Sequence, residues 1–280
     1  MDFKTFAKLI MIEQTLFALP FALLGVLFAG GGTFGVWIWV AVALVAARTA
    51  GMSFNRVIDA DIDAQNPRTA DRALPKGEVG RGAVWLTALA ACLVFVFSAW
   101  MLNPLCFYLS FAGVFLLFTY SFFKRFSSTS HFYLGLVEAA APVGGYLAVT
   151  GEFALLPFIL GIIILSWIAG LDIIYALQDL AFDRNHGLHS LPAALGRERA
   201  LKVSGLCYGT ALAAMVLAGL MSGRQGAYWL ALMVIAAIFF YQQTLARRAE
   251  AGPAAAGIFK INGAIAPILF VGTLVDVLMK

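Results

Sequence analysis

Two short stretches of this chain carry the residue types from which a metal and phosphate site can be built. The first is Asn55-Arg-Val-Ile-Asp59-Ala-Asp-Ile-Asp63, with Arg68 and Arg72 just downstream. The second is Tyr175-Ala-Leu-Gln-Asp179-Leu-Ala-Phe-Asp183. On a helix, residues four apart drift by only about 40° per step. Asn55, Asp59 and Asp63 should therefore share one face, and Tyr175, Asp179 and Asp183 another. Two such acidic faces opposed across a gap make a strongly negative pocket. It suits hard cations such as Mg²⁺, which keep several waters and also bind substrate phosphates. The nearby cations Arg68, Arg72 and Lys124 would be out of place in a bare metal cage. They are expected where a diphosphate is clamped and its leaving charge stabilised. That combination points to ionisation of an allylic diphosphate, with the lipophilic tail and the carbocation in a dry pocket between helices.

The elements that must position these residues are membrane helices. The 280 residues are 62% hydrophobic and 12% charged, with a mean hydropathy of +0.89, against about 25% charged in soluble domains. A span needs roughly 20 apolar residues. Nine candidates emerge: 9–30, 34–58, 83–101, 104–122, 131–150, 154–178, 200–222, 226–246 and 256–278. The first is too long for the apolar region of a cleaved signal, so it is read as an uncleaved span. No linker interrupts the pattern, and one domain over 1–280 is expected, an all-α bundle. All but three of the 19 Lys and Arg residues fall in the N-terminus, the connections after even-numbered spans, or the adjoining span ends. Positive residues mark the cytoplasmic side, so the N-terminus and both acidic stretches should lie there. The net charge of +4 is too small and too dispersed for a nucleic-acid partner. Cys92, Cys106 and Cys207 have no ligand spacing and are expected to pack as small apolar residues.

The two stretches, taken with Arg68-Thr-x-x-Arg72-x-Leu-Pro75-x-Gly77, Tyr120-x-x-x-Lys124-Arg125 and Gly187-x-x-Ser190, resemble the UbiA superfamily of intramembrane aromatic prenyltransferases. The resemblance spans essentially the whole chain. It implies a bundle around a central cavity, Mg²⁺, a polyprenyl diphosphate donor and an aromatic acceptor, in a lipid bilayer; no protein partner is implied. It also implies that Asn55, Asp59, Asp63, Asp179 and Asp183 hold the metal–diphosphate, the four acids being the catalytic set. Arg68, Arg72 and Lys124 then face the phosphates. Glu13-Gln-Thr-Leu-Phe-Ala-Leu-Pro20, Asp172-Ile-Ile-Tyr175 and His186-Gly-Leu-His-Ser190 are similar to a 4-hydroxybenzoate polyprenyltransferase subgroup, some members of which use a dihydroxynaphthoate on a route to menaquinone. Lipid-quinone biosynthesis, of ubiquinone or menaquinone, is the implied setting. Gln14 departs from the pattern, standing where related chains often have a basic residue.

Arg48, Asp172 and Tyr175 are the candidates for acceptor binding. Arg48 precedes Asn55 by seven residues, and Asp172 precedes Asp179 by seven, so both should lie about 10 Å deeper on the same faces. Either Arg48 and Asp172 neutralise each other, or Arg48 also holds an acceptor carboxylate. Glu138 is a further intramembrane acid without an evident partner. His131 is expected at the membrane interface, His186 and His189 in a loop rather than on a metal, and Phe111, Phe115 and Phe118 on lipid or in packing. The acids could instead solvate helix ends, paired with Arg56 and Arg184. A transporter with an acidic ion path is the other functional class; it predicts helices broken near the bilayer midplane.

Overall fold

The computed structural model describes residues 3–248, 257–258 and 260–279, without the side chains of Phe3, Gln14, Leu16 and Phe17, so the expectation about Gln14 lies outside the described residues. Among the described residues the regular structure is entirely helical. Thirteen α-helices have described bounds, in order α1 (Phe3–Leu9), α2 (Ile12–Phe28), α3 (Phe34–Ile58), α4 (Ala60–Gln65), α5 (Arg81–Leu102), α6 (Pro104–Phe123), α7 (Ser130–Thr150), α8 (Leu155–Ala176), α9 (Leu180–Asn185), α10 (Leu191–Leu195), α11 (Arg197–Met221), α12 (Gly226–Arg248) and α13 (Ile265–Leu278), and residues 257–258 and 260–262 are also helical. A 3₁₀ turn, Leu177–Asp179, joins α8 to α9.

Among the described residues, eight segments are long and apolar enough to cross a membrane. The expected first span is a little shorter than its 9–30 bounds: Met11 adopts a left-handed conformation (φ 50°), which separates α1 from the 17 residues of α2. At 1.5 Å per residue α2 reaches about 26 Å, close to the roughly 30 Å hydrocarbon core. The nine-span expectation thus resolves as eight full-length spans and one short one. The chain turns where small or capping residues permit it. Gly151 ends α7 at φ 66°. Asn103 caps α6, its Oδ1 accepting from the Cys106 amide at 2.9 Å, while its Nδ2 donates to the Leu147 carbonyl at 2.8 Å.

The core is built around α8, which packs against α7 and α11. Trp167 is fully buried in it, 4.8 Å edge-on from the Phe21 ring. Glycine lets α2 and α7 approach backbone to backbone. A Cβ on Gly145 would sit 2.0 Å from the Ala22 carbonyl oxygen, and one on Gly25 2.1 Å from that of Pro142. Small residues at such crossings are the usual means of helix association in lipid, where burial gives no hydrophobic gain. α5 and α6 turn their apolar faces outward: Leu93, Trp100, Phe111 and Phe115 are all exposed, as the lipid-facing reading anticipates, and Phe118 borders on exposed. The three cysteines are free and at least half-buried in helices.

Candidate active site

The two acidic stretches end α3 and α8 in the same way, and neither is the straight helix that the spacing suggests. Asp59 lies at φ −93°, ψ 6° between α3 and α4. Asp179 lies at φ −97°, ψ 6° between the 3₁₀ turn and α9. These bridge-region dihedrals bend each helix at its middle acid. Asp59 and Asp179 then line one cavity of about 400 Å³, together with Asn55, Arg68, Arg72 and Lys124. Asp63 and Asp183 stand behind this wall, both buried.

Each of the four acids meets one cation. Arg68 forks onto Asp179, with Nη2 at 2.5 Å from Oδ2 and Nε at 2.9 Å from Oδ1. Arg72 Nη1 donates to Asp63 Oδ2 at 2.6 Å. Lys124 Nζ lies 2.7 Å from Asp183 Oδ1. Arg125 Nη2 is 3.3 Å from Asp59 Oδ1 and donates to the Ile58 carbonyl at 2.6 Å. All four cations come from the first half of the chain, while the acids come from both halves, so Arg68 and Lys124 tie the halves together. The alternative pairs with Arg56 and Arg184 do not form among the described residues. Arg184 instead donates to the Ala193 carbonyl, and Arg56 has no acidic partner within ion-pair distance among the described residues.

Supporting contacts orient the acids. Asn55 Nδ2 donates to Asp59 Oδ2 at 2.7 Å. Asn66, which the residue pattern did not single out, accepts from the Arg68 amide at 2.9 Å and donates to Asp179 Oδ1 at 3.0 Å. The signal was the dipeptide Asn66-Pro67 before Arg68, since an Asn side chain readily hydrogen-bonds the backbone two residues on. Tyr175 lies beneath Arg68, its ring centroid 5.3 Å from the guanidinium carbon, a cation–π geometry. Burial pushes the Asp59 carboxyl up to about 6, with the Arg125 hydrogen bond opposing and neighbouring Asp63 reinforcing the shift. Burial alone would lower the Arg68 guanidinium, but its bonds and attraction to Asp179 outweigh this and raise it.

Among the described residues no three acidic, histidine or cysteine groups are close enough to hold one metal ion, and a cation accompanies each of the four carboxylates. The donor chemistry nonetheless fits a hard divalent ion. The set is all oxygen, and Asp183, 0% exposed, has neither carboxylate oxygen in a well-formed hydrogen bond. Lys124 neutralises its charge from close range without satisfying that geometry. A metal–diphosphate at this site would need an exchange of partners, in which acids pass to the metal and cations to the phosphates.

Deeper in the cavity two expectations change. Arg48 does not pair with Asp172; it pairs with Glu138 of α7, which gives that intramembrane acid its partner. Seven residues back along α7, at the start of that span, His131 is buried by protein, with Nδ1 at 2.6 Å from Asp172 Oδ2. A single α7 face therefore serves both residues that α3 and α8 were expected to bring to each other. Beyond Arg48 and Glu138 lies an apolar chamber of about 310 Å³ between α3, α5, α6 and α7. His186 stacks on Phe182 with centroids 3.9 Å apart, and the His189 amide donates to the Lys124 carbonyl, so both serve the loop.

The model of the UbiA prenyltransferase family matches residues 18–264. A 4-hydroxybenzoate octaprenyltransferase of Azoarcus sp. (strain BH72) is 30% identical over 99% of this chain and 94% of its own length. One of Xanthomonas campestris pv. campestris (strain B100) is 32% identical over 86% and 76%. The apo structure of a UbiA homolog from Aeropyrum pernix K1 superposes with a TM-score of 0.88 at 32% identity, over 95% of this chain and 98% of that one. A UbiA homolog from Archaeoglobus fulgidus, solved bound to GPP and Mg²⁺, shares the fold at a TM-score of 0.74 and 18% identity, over 96% and 99%. With its paired acidic helix ends, its bundle of apolar spans and this whole-length similarity, the chain belongs to the UbiA prenyltransferase family.

Proposed function

We infer that this chain transfers a polyprenyl group from a polyprenyl diphosphate to an aromatic acceptor of the hydroxybenzoate or dihydroxynaphthoate type, in lipid-quinone biosynthesis and with Mg²⁺. The observation that carries this reading is the ring of four acid–cation pairs beside a cavity that continues toward an apolar chamber. The names of the relatives support the acceptor class, and the GPP- and Mg²⁺-bound homolog supports the donor and the ion. Asn55, Asp59, Asp63, Asp179 and Asp183 are the residues that would hold Mg²⁺. When bound, the ion neutralises the diphosphate and stabilises its departure.

The protein's own part is to bind, orient and exclude water. Arg68, Arg72 and Lys124, released from their acids, turn to the diphosphate oxygens and take up charge that develops as the C1–O bond breaks. The apolar lining keeps water from the allylic cation. Arg48 is the guanidinium available to the acceptor carboxylate, once Glu138 yields it. Tyr175 is better placed to support Arg68 than to touch the acceptor. The distribution of Lys and Arg supports a cytoplasmic membrane location, with the N-terminus and the site facing the cytoplasm. One domain comprises the chain. The transporter alternative gains no support from the backbone, since the bends at Asp59 and Asp179 fall at the ends of α3 and α8 rather than at mid-span.

The test is a panel of 4-hydroxybenzoate, dihydroxynaphthoates and homogentisate with one fixed donor and the purified protein, scored by product mass. A prenylated product that requires Mg²⁺ is expected. Absence of Mg²⁺-dependent diphosphate release with every acceptor would sink the reading.

A further inference from the structure

Asp172 and His131 stand apart from the acid–cation pairs and have no part in the chemistry described so far. Asp172 precedes Asp179 by two helical turns and opens into the same cavity about 10 Å deeper. His131 and Glu138 have the same seven-residue spacing on α7, which places the Arg48–Glu138 pair about 10 Å beyond the His131–Asp172 pair along that helix. The cavity is thus tiered, with the diphosphate-type residues outermost, a histidine–carboxylate pair below them, and a guanidinium–carboxylate pair deepest.

The hydrogen bonds assign the state of the middle tier. The Leu191 amide can only donate, and it does so to His131 Nε2 at 3.1 Å. Nε2 therefore carries no proton, and Nδ1 donates to Asp172 Oδ2 at 2.6 Å. The imidazole is a neutral orienting group, anchored by α10 and 3% exposed. Asp172 keeps 33% of its side-chain surface open, and its second oxygen has no partner among the described residues. A backbone carbonyl would satisfy Nδ1 equally well. A carboxylate there, with one oxygen bare within a membrane protein, is expensive unless something in the cavity uses it.

We propose that Asp172, oriented by His131, accepts the hydrogen bond of the acceptor's phenolic hydroxyl and takes its proton as the ring attacks. This rests on the prenyl-transfer reading above. An acceptor with a carboxylate at one end and a phenol at the other matches the two inner tiers, anion to Arg48 and hydroxyl to Asp172. That polarity turns the phenol, and the ring carbon ortho to it, toward the diphosphate residues. As the C1–O bond of the donor breaks, its electron pair leaves on the diphosphate. The ortho carbon supplies the electron pair of the new bond to C1, and the O–H proton passes to Asp172, leaving a neutral cyclohexadienone. The ring proton then passes to a diphosphate oxygen while Asp172 returns its proton to the acceptor oxygen, restoring the phenol. Asp172 touches the reacting hydroxyl; His131 is a positioning residue.

The test compares 4-hydroxybenzoate with 4-methoxybenzoate, which has no proton to give, using the full-length purified protein, Mg²⁺ and one donor. Asp172→Asn should lower kcat on the hydroxy acceptor by about 100-fold, at the lower end of general-base contributions. It should leave the donor KM unchanged and add little loss on the methoxy acceptor. His131→Asn, which keeps an N–H for Asp172, should retain most of the activity that His131→Leu loses. Equal losses on the two acceptors would overturn the proposal. If Asp172→Asn does not fold, wild type decides alone: methoxy turnover close to hydroxy turnover overturns the idea, and a loss of about 100-fold supports it. No product from wild type with any acceptor would bring down the prenyl-transfer reading itself, and this proposal with it.

Discussion

If the four acids are held in reserve for a metal by internal cations, removing one cation should weaken the metal-free protein more than the metal-bound one. Arg68→Met is the sharpest perturbation. It removes two hydrogen bonds to Asp179, a residue only 5% exposed, and leaves Asn66 as that acid's remaining hydrogen-bond donor. Removing one partner of a fully buried pair costs about 3–5 kcal/mol. The Arg68 side chain is 31% exposed, so water reaches the gap and screening reduces the figure to about 2 kcal/mol. At roughly 2–4 °C per kcal/mol for a chain of this size, thermal unfolding in EDTA should fall by about 4–8 °C. Saturating Mg²⁺ alone should then stabilise the variant more than wild type. The wild type must break the Arg68–Asp179 bond to offer Asp179 to the ion, and the variant has no such bond to break. Unfolding scans in detergent, with EDTA and with Mg²⁺, read both numbers. A deficit that is the same or larger in Mg²⁺ would refute the exchange of partners.

Three further outcomes follow from the same geometry. Lys124→Met should destabilise more than Arg125→Met, by roughly 2 against under 1 kcal/mol, because Asp183 is 0% exposed while Asp59 keeps 20% of its side chain open; Asp183→Asn should relieve most of the Lys124→Met loss. Denaturation of both variants and the double mutant measures this. Gly145→Val should cost more than the 1–3 kcal/mol of ordinary overpacking, because the clash is with the Ala22 carbonyl rather than a movable side chain, and size-exclusion profiles should show loss of the monodisperse species. Because burial pushes the Asp59 carboxyl up to about 6, lowering the pH through that value should protonate one of the proposed Mg²⁺ ligands. Mg²⁺ titrations should then show affinity falling toward about tenfold per pH unit below 6, with a proton released on binding, whereas a flat profile from pH 7 to 5 would contradict it.

The sequence made the acids legible because spacing by four on an apolar span is hard to mistake, and charge bias put both stretches at one end. It could not show that each stretch bends at its middle acid, since a bridge-region residue leaves no mark in a run such as Asp59-Ala-Asp-Ile-Asp63. The bends move Asp63 and Asp183 behind the cavity wall, where the cations reach them. Partners were less legible than positions. Arg48 and Asp172 seemed natural mates because each precedes its motif by seven residues, but that argument compares two helices and ignores the third between them. α7 packs against α8 and also touches α3, and its residues 131 and 138 intercept both.

The intercepting helix also explains why the inner cavity tolerates charge. Arg48 against Asp172 would have left Glu138 a bare acid within the apolar bundle, which is costly. Two separate pairs, made from one face of α7 at two depths, leave Arg48, Glu138 and Asp172 each with a partner and keep a cation and an anion apart along the cavity. Separation is what an acceptor with two unlike ends needs, since a single closed ion pair would offer neither end a site. The same logic holds at the outer tier, where cations from the first half reach acids of both halves. Compensation is local while the site is empty and can be redistributed when phosphate and metal arrive. The fold therefore meets the demand of low-dielectric surroundings, where unpaired charge is expensive, without building a cavity too neutral to bind a charged substrate.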